Sequence, residues 1–220
     1  LCWKFSQEGE NCRENQEFGE EVEQISFSFL EYLPSLREVL AQDVEAILKG
    51  DPAAVSRREI VLAYPGLIAV SVYRIANFLH KQKVPLIPRI MTEYIHSRTG
   101  IDIHPGAEID KGLMIDHGTG VVIGETAVIG NDTRIYQGVT LGALSPARSM
   151  ADPELKRHPT IEDNVIIYSG ATILGNVTIG TGSIIGGNVW LVHDVPPGSR
   201  VYLEDAPEKQ EIRSGVGARK

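Results

Sequence analysis

The fold is decided by the segment Ile161-Glu-Asp-Asn-Val-Ile-Ile167-Tyr-Ser-Gly-Ala-Thr-Ile173-Leu-Gly-Asn-Val-Thr-Ile179-Gly-Thr-Gly-Ser-Ile-Ile185, where isoleucine recurs every sixth residue. Leu191 continues the phase. Two earlier runs keep the same step, Ile103, Ile109, Ile115 and then Ile123, Ile129, Ile135, Leu141. Four residues after most of these positions stands a small or β-branched residue: Ala107, Thr119, Ala127, Thr133, Val139, Val165, Ala171, Val177, Ser183 and Val189. Gly often follows the isoleucine directly, as at Gly124, Gly130, Gly180 and Gly186. A period of six fits no α-helix and is too regular for a meander; it is the period of a parallel β-helix. Each hexad supplies a short strand and a corner, three hexads close a coil of about 18 residues, and the isoleucines stack inward. Gly and Asn supply the positive φ that corners require. Such coils bury their core only as a stack.

The repeat breaks twice. Ile115 to Ile123 is eight residues and Leu141 to Ile161 is twenty, which reads as three hexads plus two. The first break holds Asp116-His117-Gly118-Thr119-Gly120, and the second runs from Ala143 to Lys156-Arg157-His158-Pro159. A stacked prism extrudes chain only where a corner opens, and loops carry function.

Outside the repeat the composition changes. Of the 22 Gly, 17 lie after residue 100, whereas 10 of the 14 aromatic residues lie before it, so a boundary falls near Thr99-Gly100. From Glu21 onward the apolar spacing is helical, with Leu36, Val39, Leu40, Val44, Ile47 and Leu48 on one stripe. Pro34 suits a first helical turn, Gly50 a left-handed stop, and Asp51-Pro52 the start of the next helix. A third helix is predicted from Tyr64-Pro65-Gly66 through Leu79, and a fourth after Pro85 or Pro88 to about His96. The chain is therefore predicted to be α+β: a helical domain over 1–100, a β-helix over 101–200 and a tail over 201–220.

The whole chain has 220 residues, a net charge of −8 and 42% hydrophobic residues. Its mean hydropathy is −0.07, and no apolar run is long enough to span a membrane. The acidic balance argues against nucleic acid as a partner. Two cysteines, Cys2 and Cys12, make no disulfide framework, so a reducing cytoplasm is the expected setting.

Both breaks carry a histidine. His117 follows Asp116, and Asp102 lies almost one coil earlier, so its carboxylate is placed to reach the imidazole from the layer below and leave the other ring nitrogen as a base. Alone, such a pair is also an ordinary structural hydrogen bond. Arg157-His158 offers a bidentate fork for a carboxylate, or else a solvated basic loop. His104 reads as structural, His80 and His96 as helix-end residues, and His193 as exposed; Asp51 alone reads as a helix cap. Zinc needs convergent imidazoles or thiolates, and the repeat region has neither close His pairs nor Cys, so no metal is expected.

Asp102-Ile-His-Pro105, Ile115-Asp-His-Gly-Thr-Gly120, Gly124-Glu-Thr-Ala127, Val139-Thr-Leu-Gly142 and Arg157-His-Pro159 closely resemble the serine O-acetyltransferase family of cysteine biosynthesis. The resemblance covers roughly residues 34–200 and includes Asp51-Pro-Ala, 51 positions before Asp102. It implies a left-handed β-helix and transfer of acetyl from acetyl-CoA to the L-serine hydroxyl, without an acyl-enzyme. It implies His117 as general base oriented by Asp102, with Asp51 and Asp116 on the serine ammonium and Arg157 on its carboxylate. His158 would be a second contact to substrate or to the tetrahedral oxyanion. Gly142, Ala143, Ser169 and Gly170, small residues of the coil edges, are the implied acetyl-CoA contacts. A homotrimer with sites between neighbouring β-helices, often a dimer of trimers joined through the helical domains, is implied too, as is inhibition by cysteine.

The chain departs from the family pattern in places. Ala143 stands where a second Gly is common, and a longer loop over 144–156 follows. Glu204-Asp-Ala-Pro207 replaces a Pro-Ala-basic segment. The end, Gly217-Ala-Arg-Lys220, lacks the terminal isoleucine with which the family docks into O-acetylserine sulfhydrylase, so no docking is expected if Lys220 is the true end. Alternatives are a hexapeptide acyltransferase acting on a sugar or drug hydroxyl, a γ-type carbonic anhydrase, or a β-helix that only scaffolds.

Overall fold

The computed structural model describes residues 16–144 and 155–203. Cys2, Cys12, loop residues 145–154 and the tail from residue 204 onward lie outside them. The repeat region forms fourteen short parallel strands on the three faces of a prism. Face A stacks β1 (Asp102–Ile103), β4 (Val122–Ile123), β7 (Thr140–Gly142), β10 (Thr172–Leu174) and β13 (Trp190–Leu191). Face B stacks β2 (Glu108–Ile109), β5 (Val128–Ile129), β8 (Thr160–Ile161) and β11 (Thr178–Ile179). Face C stacks β3 (Met114–Asp116), β6 (Arg134–Tyr136), β9 (Ile166–Ile167), β12 (Ile184–Ile185) and β14 (Arg200–Val201).

Register sets the isoleucines over one another: Ile103 beside Ile123, Ile123 beside Leu141, Ile115 beside Ile135. From Ile123 to Ile185 every phased residue is sealed from water, each burial contributing about 1.5–3 kcal/mol. Ile109 and Leu191, in the end coils, are only half-buried.

One expectation about this region, the size of the second break, is corrected, and two others are sharpened. Thr119 is exposed; the two extra residues of the first break sit in the corner, and the inward place goes to the fully buried Val121. The second break is not three hexads plus two. Strand β7 on face A leads directly to β8 on face B of the same coil, so twenty residues span a step that needs six, and fourteen are inserted at one corner. Positive φ falls on Asp132, Asn164, Asn188 and on glycines such as Gly138, but not on Gly124, Gly130, Gly180 or Gly186. Those four are small because the next layer approaches them: a Cβ on Gly124 would lie 2.1 Å from the His158 ring.

The first half folds into α1 (Gln16–Gly50), α2 (Arg57–Ala63), α3 (Pro65–Lys81) and α4 (Ile87–Thr99). The third and fourth helices agree with prediction, and Gly100, in the left-handed conformation at φ 71°, turns the chain into β1. The first two differ. Pro34 lies inside a single 35-residue helix rather than at its start. Gly50 is that helix's last residue and has no left-handed φ; its missing Cβ admits Met114, whose Sδ would otherwise be 2.2 Å away. Asp51 does not start the second helix. Its Oδ1 accepts the Ala53 N–H at 2.7 Å in a turn, and Ser56 caps α2 instead, accepting from Glu59 N. Among the described residues no single helix is long and apolar enough to cross a membrane.

The helices share a core with the prism: Ala69, Val70, Tyr73 and Ile95 pack in one cluster with the stacked isoleucines. A buried ion pair fixes the junction. Arg74 donates to both oxygens of Asp43 at 2.8 and 2.9 Å and to the carbonyls of Ile109 and Asp110, while Asp43 also accepts the Leu113 N–H. Burial pushes the Asp43 carboxyl up, against the pull of Arg74.

Candidate functional site

The corner between faces C and A gathers the first set of polar groups. Strand β3 ends at Asp116, and His117 follows in the left-handed region at φ 56°, its side chain 72% exposed. That conformation is uncommon for a non-glycine residue and turns the ring out of the stack. Two glycine approaches bring the helices onto this strand. Gly50 lies against Met114, and Gly66 lies so close to Ile115 that a Cβ would sit 2.2 Å from its carbonyl oxygen. The turn after α1 thus delivers Asp51 to the end of β3. Its Oδ2 accepts a hydrogen bond from the Tyr64 hydroxyl at 2.6 Å. That bond, followed by burial and the charges of Asp51, Glu59 and Asp116, pushes the Tyr64 phenol up to about 12. Tyr136, stacked on Tyr168 with ring centroids 5.2 Å apart, is pushed up by burial and by Asp116, with Asp51 adding to it. Asp51 and Asp116 therefore act on the same two phenols, with Arg134 opposing them at Tyr136, and the exposed imidazole of His117 stands beside them.

The expected Asp102–His117 pair is not made within this chain. The Nε2 of His117 faces Asp116 Oδ2 at 3.8 Å, and no described contact joins the ring to Asp102. Asp102 begins β1 on face A beside Ile101, whose side chain lies under Gly118. It is on the same corner as His117, with Val122 of the next coil as its strand partner.

Arg157 and His158 are elsewhere, on the corner between faces A and B, where the inserted chain re-enters the stack before β8. The His158 ring is buried against Gly124, and its Nδ1 accepts the Thr126 N–H at 3.0 Å. Burial first, then the Arg157 charge, push the imidazole down to about 4, so it is neutral at neutral pH. Arg157 is paired through Nη2 with Glu125 Oε2. Lys156 donates to the carbonyls of Thr126 and Pro159. The corner is flanked by a cleft lined by His80, Gly106, Glu108, Glu125, Thr126 and Lys156.

The four small residues divide in the same way. Gly142 ends β7 and Ala143 follows it at the A–B corner, and Ser169 and Gly170 lie at the C–A corner, where Gly170 stacks on Gly138 with Cα within 3.5 Å of its Cβ position. One full face, roughly 15–20 Å by strand rise, separates the two groups. The chain alone does not bring them together.

Of the remaining histidines, His104 accepts the Gly106 N–H in a turn, His96 faces Glu93 at 3.6 Å, and His193 is exposed. Among the described residues no three His, Cys, Asp or Glu side chains gather as a metal site. Tyr64, Tyr136, Glu125 and Thr126 were not singled out in the sequence. Glu125 and Thr126 sit in the Gly124-Glu-Thr-Ala127 motif, and that adjacency was the one available signal; Tyr64 read only as a helix start.

The repeat region matches the family described as bacterial transferase hexapeptide (six repeats) over residues 158–193. The chain is 52% identical over 179 residues to the plasmid serine acetyltransferase of Synechococcus elongatus, covering 80% of this chain and 56% of that one. It is 46% identical to the serine acetyltransferase of Bacillus licheniformis, covering 74% and 73% of the two chains. Among solved structures it is similar to serine acetyltransferase isoform 3 of Entamoeba histolytica in complex with cysteine, with a TM-score of 0.80 and 43% identity over 86% of this chain and 66% of that one. It is also similar to the Neisseria gonorrhoeae serine acetyltransferase in complex with serine, with a TM-score of 0.74 and 36% identity over 81% and 71%. The chain thus spans little more than half of one relative and from two thirds to nearly three quarters of the others' lengths.

Proposed function

The chain belongs to the serine acetyltransferase family, and from that premise we propose that it is an acyltransferase moving acetyl from acetyl-CoA to the hydroxyl of L-serine, giving O-acetylserine and CoA. The observation that carries the proposal is the gathering of Asp51, Asp116 and the exposed ring of His117 at one corner of the prism. Two carboxylates suit an ammonium group. An imidazole beside them suits removal of a proton from a hydroxyl on the same small molecule.

In this reading His117 takes the serine hydroxyl proton as the oxygen attacks the thioester carbonyl. The tetrahedral oxyanion collapses, the C–S bond breaks, and the proton passes from His117 to the departing thiolate. Asp102 orients the ring once the site is assembled. Arg157, held by Glu125, meets the serine carboxylate, and the neutral His158 donates a hydrogen bond to substrate or to the oxyanion. The CoA chain runs past Gly142, Ala143, Ser169 and Gly170.

Because these groups occupy two different corners, the proposed site needs a second chain. A trimer sets the C–A corner of one β-helix against the A–B corner of its neighbour, and a dimer of trimers through the helices follows the same reading. Cysteine, bound by the Entamoeba protein, is proposed to compete at the serine site. Docking to O-acetylserine sulfhydrylase depends on residues outside those described, and the cytoplasmic setting rests on the two-cysteine composition alone.

The test is thiol release from acetyl-CoA with L-serine, with sugars and without acceptor, repeated with His117→Ala. Serine-dependent release that falls about 10²–10⁴-fold in the variant is expected. Folded protein with no serine-dependent release would sink the proposal.

A further inference from the structure

The inserted chain rejoins the stack through Lys156, Arg157 and His158, and each of these three residues is received by one residue of the preceding coil. Most of the bonds go to Thr126. Its carbonyl accepts from Lys156 Nζ, and its Oγ1 accepts from Arg157 N at 2.9 Å and from His158 N at 3.1 Å. Its own N–H donates to His158 Nδ1 at 3.0 Å, and its Oγ1 lies 2.9 Å from the same nitrogen. Just before Thr126 in the chain, Gly124 leaves room for the imidazole and Glu125 holds the Arg157 guanidinium.

These bonds fix proton positions. A backbone N–H has no lone pair and only donates. The Nδ1 it points at must therefore be the unprotonated nitrogen. Both lone pairs of Thr126 Oγ1 are taken by the N–H groups of Arg157 and His158, so the hydroxyl hydrogen is also left for Nδ1. A proton on Nδ1 would face two donors. We propose that Thr126 is a positioning residue that locks His158 as the neutral tautomer with its hydrogen on Nε2, making it a hydrogen-bond donor in the site and reserving proton abstraction for His117.

The charged and titratable groups around the ring agree with this. Arg157, Lys156 and His104 disfavour an imidazolium there, against the pull of Glu125. His117, by contrast, is exposed on the other corner with Asp116 as its one described charged neighbour. The two histidines of the breaks are thus built for opposite tasks.

The inference deepens the functional reading and rests on it for what the donor acts upon, but the tautomer is a property of the resting protein. Nitrogen NMR of the full chain labelled with ¹⁵N-histidine, assigned with His158→Gln, is expected to show Nδ1 unprotonated and Nε2 protonated from pH 5.5 to 8.5. Thr126→Val keeps the shape and the backbone N–H but removes the hydroxyl that faces Nδ1 and accepts the N–H groups of Arg157 and His158, so the ring is no longer held on that N–H; its His158 signal is expected to titrate at higher pH and to mix tautomers. In serine-dependent thiol release it is expected to lose about tenfold in kcat/KM. Thr126→Ser, which keeps the hydroxyl, is expected to restore both, with thermal melts showing all variants folded. A protonated Nδ1 in the unsubstituted protein, or a Thr126→Val variant unchanged in spectrum and in kcat/KM, would overturn the proposal. The expected spectra in a protein with no serine-dependent release would overturn the functional reading and leave the tautomer standing.

Discussion

The Tyr64 hydroxyl donates to Asp51 across 2.6 Å, joining the residue before α3 to the turn after α1 at the end of β3. This bond holds one of the two carboxylates proposed for the serine ammonium, while the other Asp51 oxygen is kept by Ala53 N. Tyr64→Phe leaves the ring and removes the donor. It is expected to raise KM for serine several-fold with little change in KM for acetyl-CoA, measured by thiol release with each substrate varied. An equal change in both would mean that Asp51 does not meet serine.

Two glycines make opposite predictions for the same substitution. Gly66→Ala drives a Cβ to within 2.2 Å of the Ile115 carbonyl oxygen, a backbone atom inside the stack that has nowhere to go. Urea unfolding is expected to show a loss of about 2–4 kcal/mol, since overpacking against fixed neighbours forces backbone shifts.

Gly124→Ala instead meets a side chain, the His158 ring, at 2.1 Å. The ring can leave, at the expense of its bonds to Thr126. Stability is expected to change by about 1 kcal/mol, whereas serine-dependent release falls at least tenfold. A fold change of similar size in Gly66→Ala and Gly124→Ala melts would contradict this division.

The stack was legible because hexad spacing leaves a one-to-one mark on the chain: Ile123, Ile129 and Ile135 each land inward, and the breaks mark the corners that carry His117 and His158. The helical half was less legible. A proline at position 34 reads as a start locally, but an exposed kink-tolerant position in a long helix packed on a prism is equally open to it. Gly50 and Gly124 looked like conformational glycines; their reason is a neighbour 64 or 34 residues away, which no local pattern carries. Asp51 was visible as a motif, but its partner Tyr64 was not, since contact between them depends on how α1 and α3 dock. The separation of the two histidines onto different corners follows only from counting faces, which needed the size of the second insertion.

Asp43 and Arg74 left no mark in the sequence, yet they tie α1 and α3 to the first coil. Both are nearly sealed from water. Removing one partner strands the other charge, so Asp43→Ala is expected to destabilise by about 3–5 kcal/mol. Replacing both, with Asp43→Leu and Arg74→Met, is expected to lose less than the single change. Urea unfolding of the three proteins checks this, and a double variant weaker than the single would show that the carbonyl bonds of Arg74 matter more than the pair.

The low affinity of His158 for a proton also makes a statement about stability. Its folded value of about 4 lies below the ordinary 6.5 of an unfolded chain. The folded state therefore binds fewer protons than the unfolded state between those values, and stability from this residue, complete above pH 6.5, is lost as pH falls toward 4. After discounting for solvent screening the loss amounts to about 1–2 kcal/mol. His158→Gln lacks the titrating group, so the stability difference between the two proteins is expected to move by that amount in favour of the variant between pH 7 and pH 4. Chemical unfolding of both at several pH values measures it directly. A difference that stays flat across the window would mean that the ring can take up a proton in the folded protein, with Nδ1 released from Thr126.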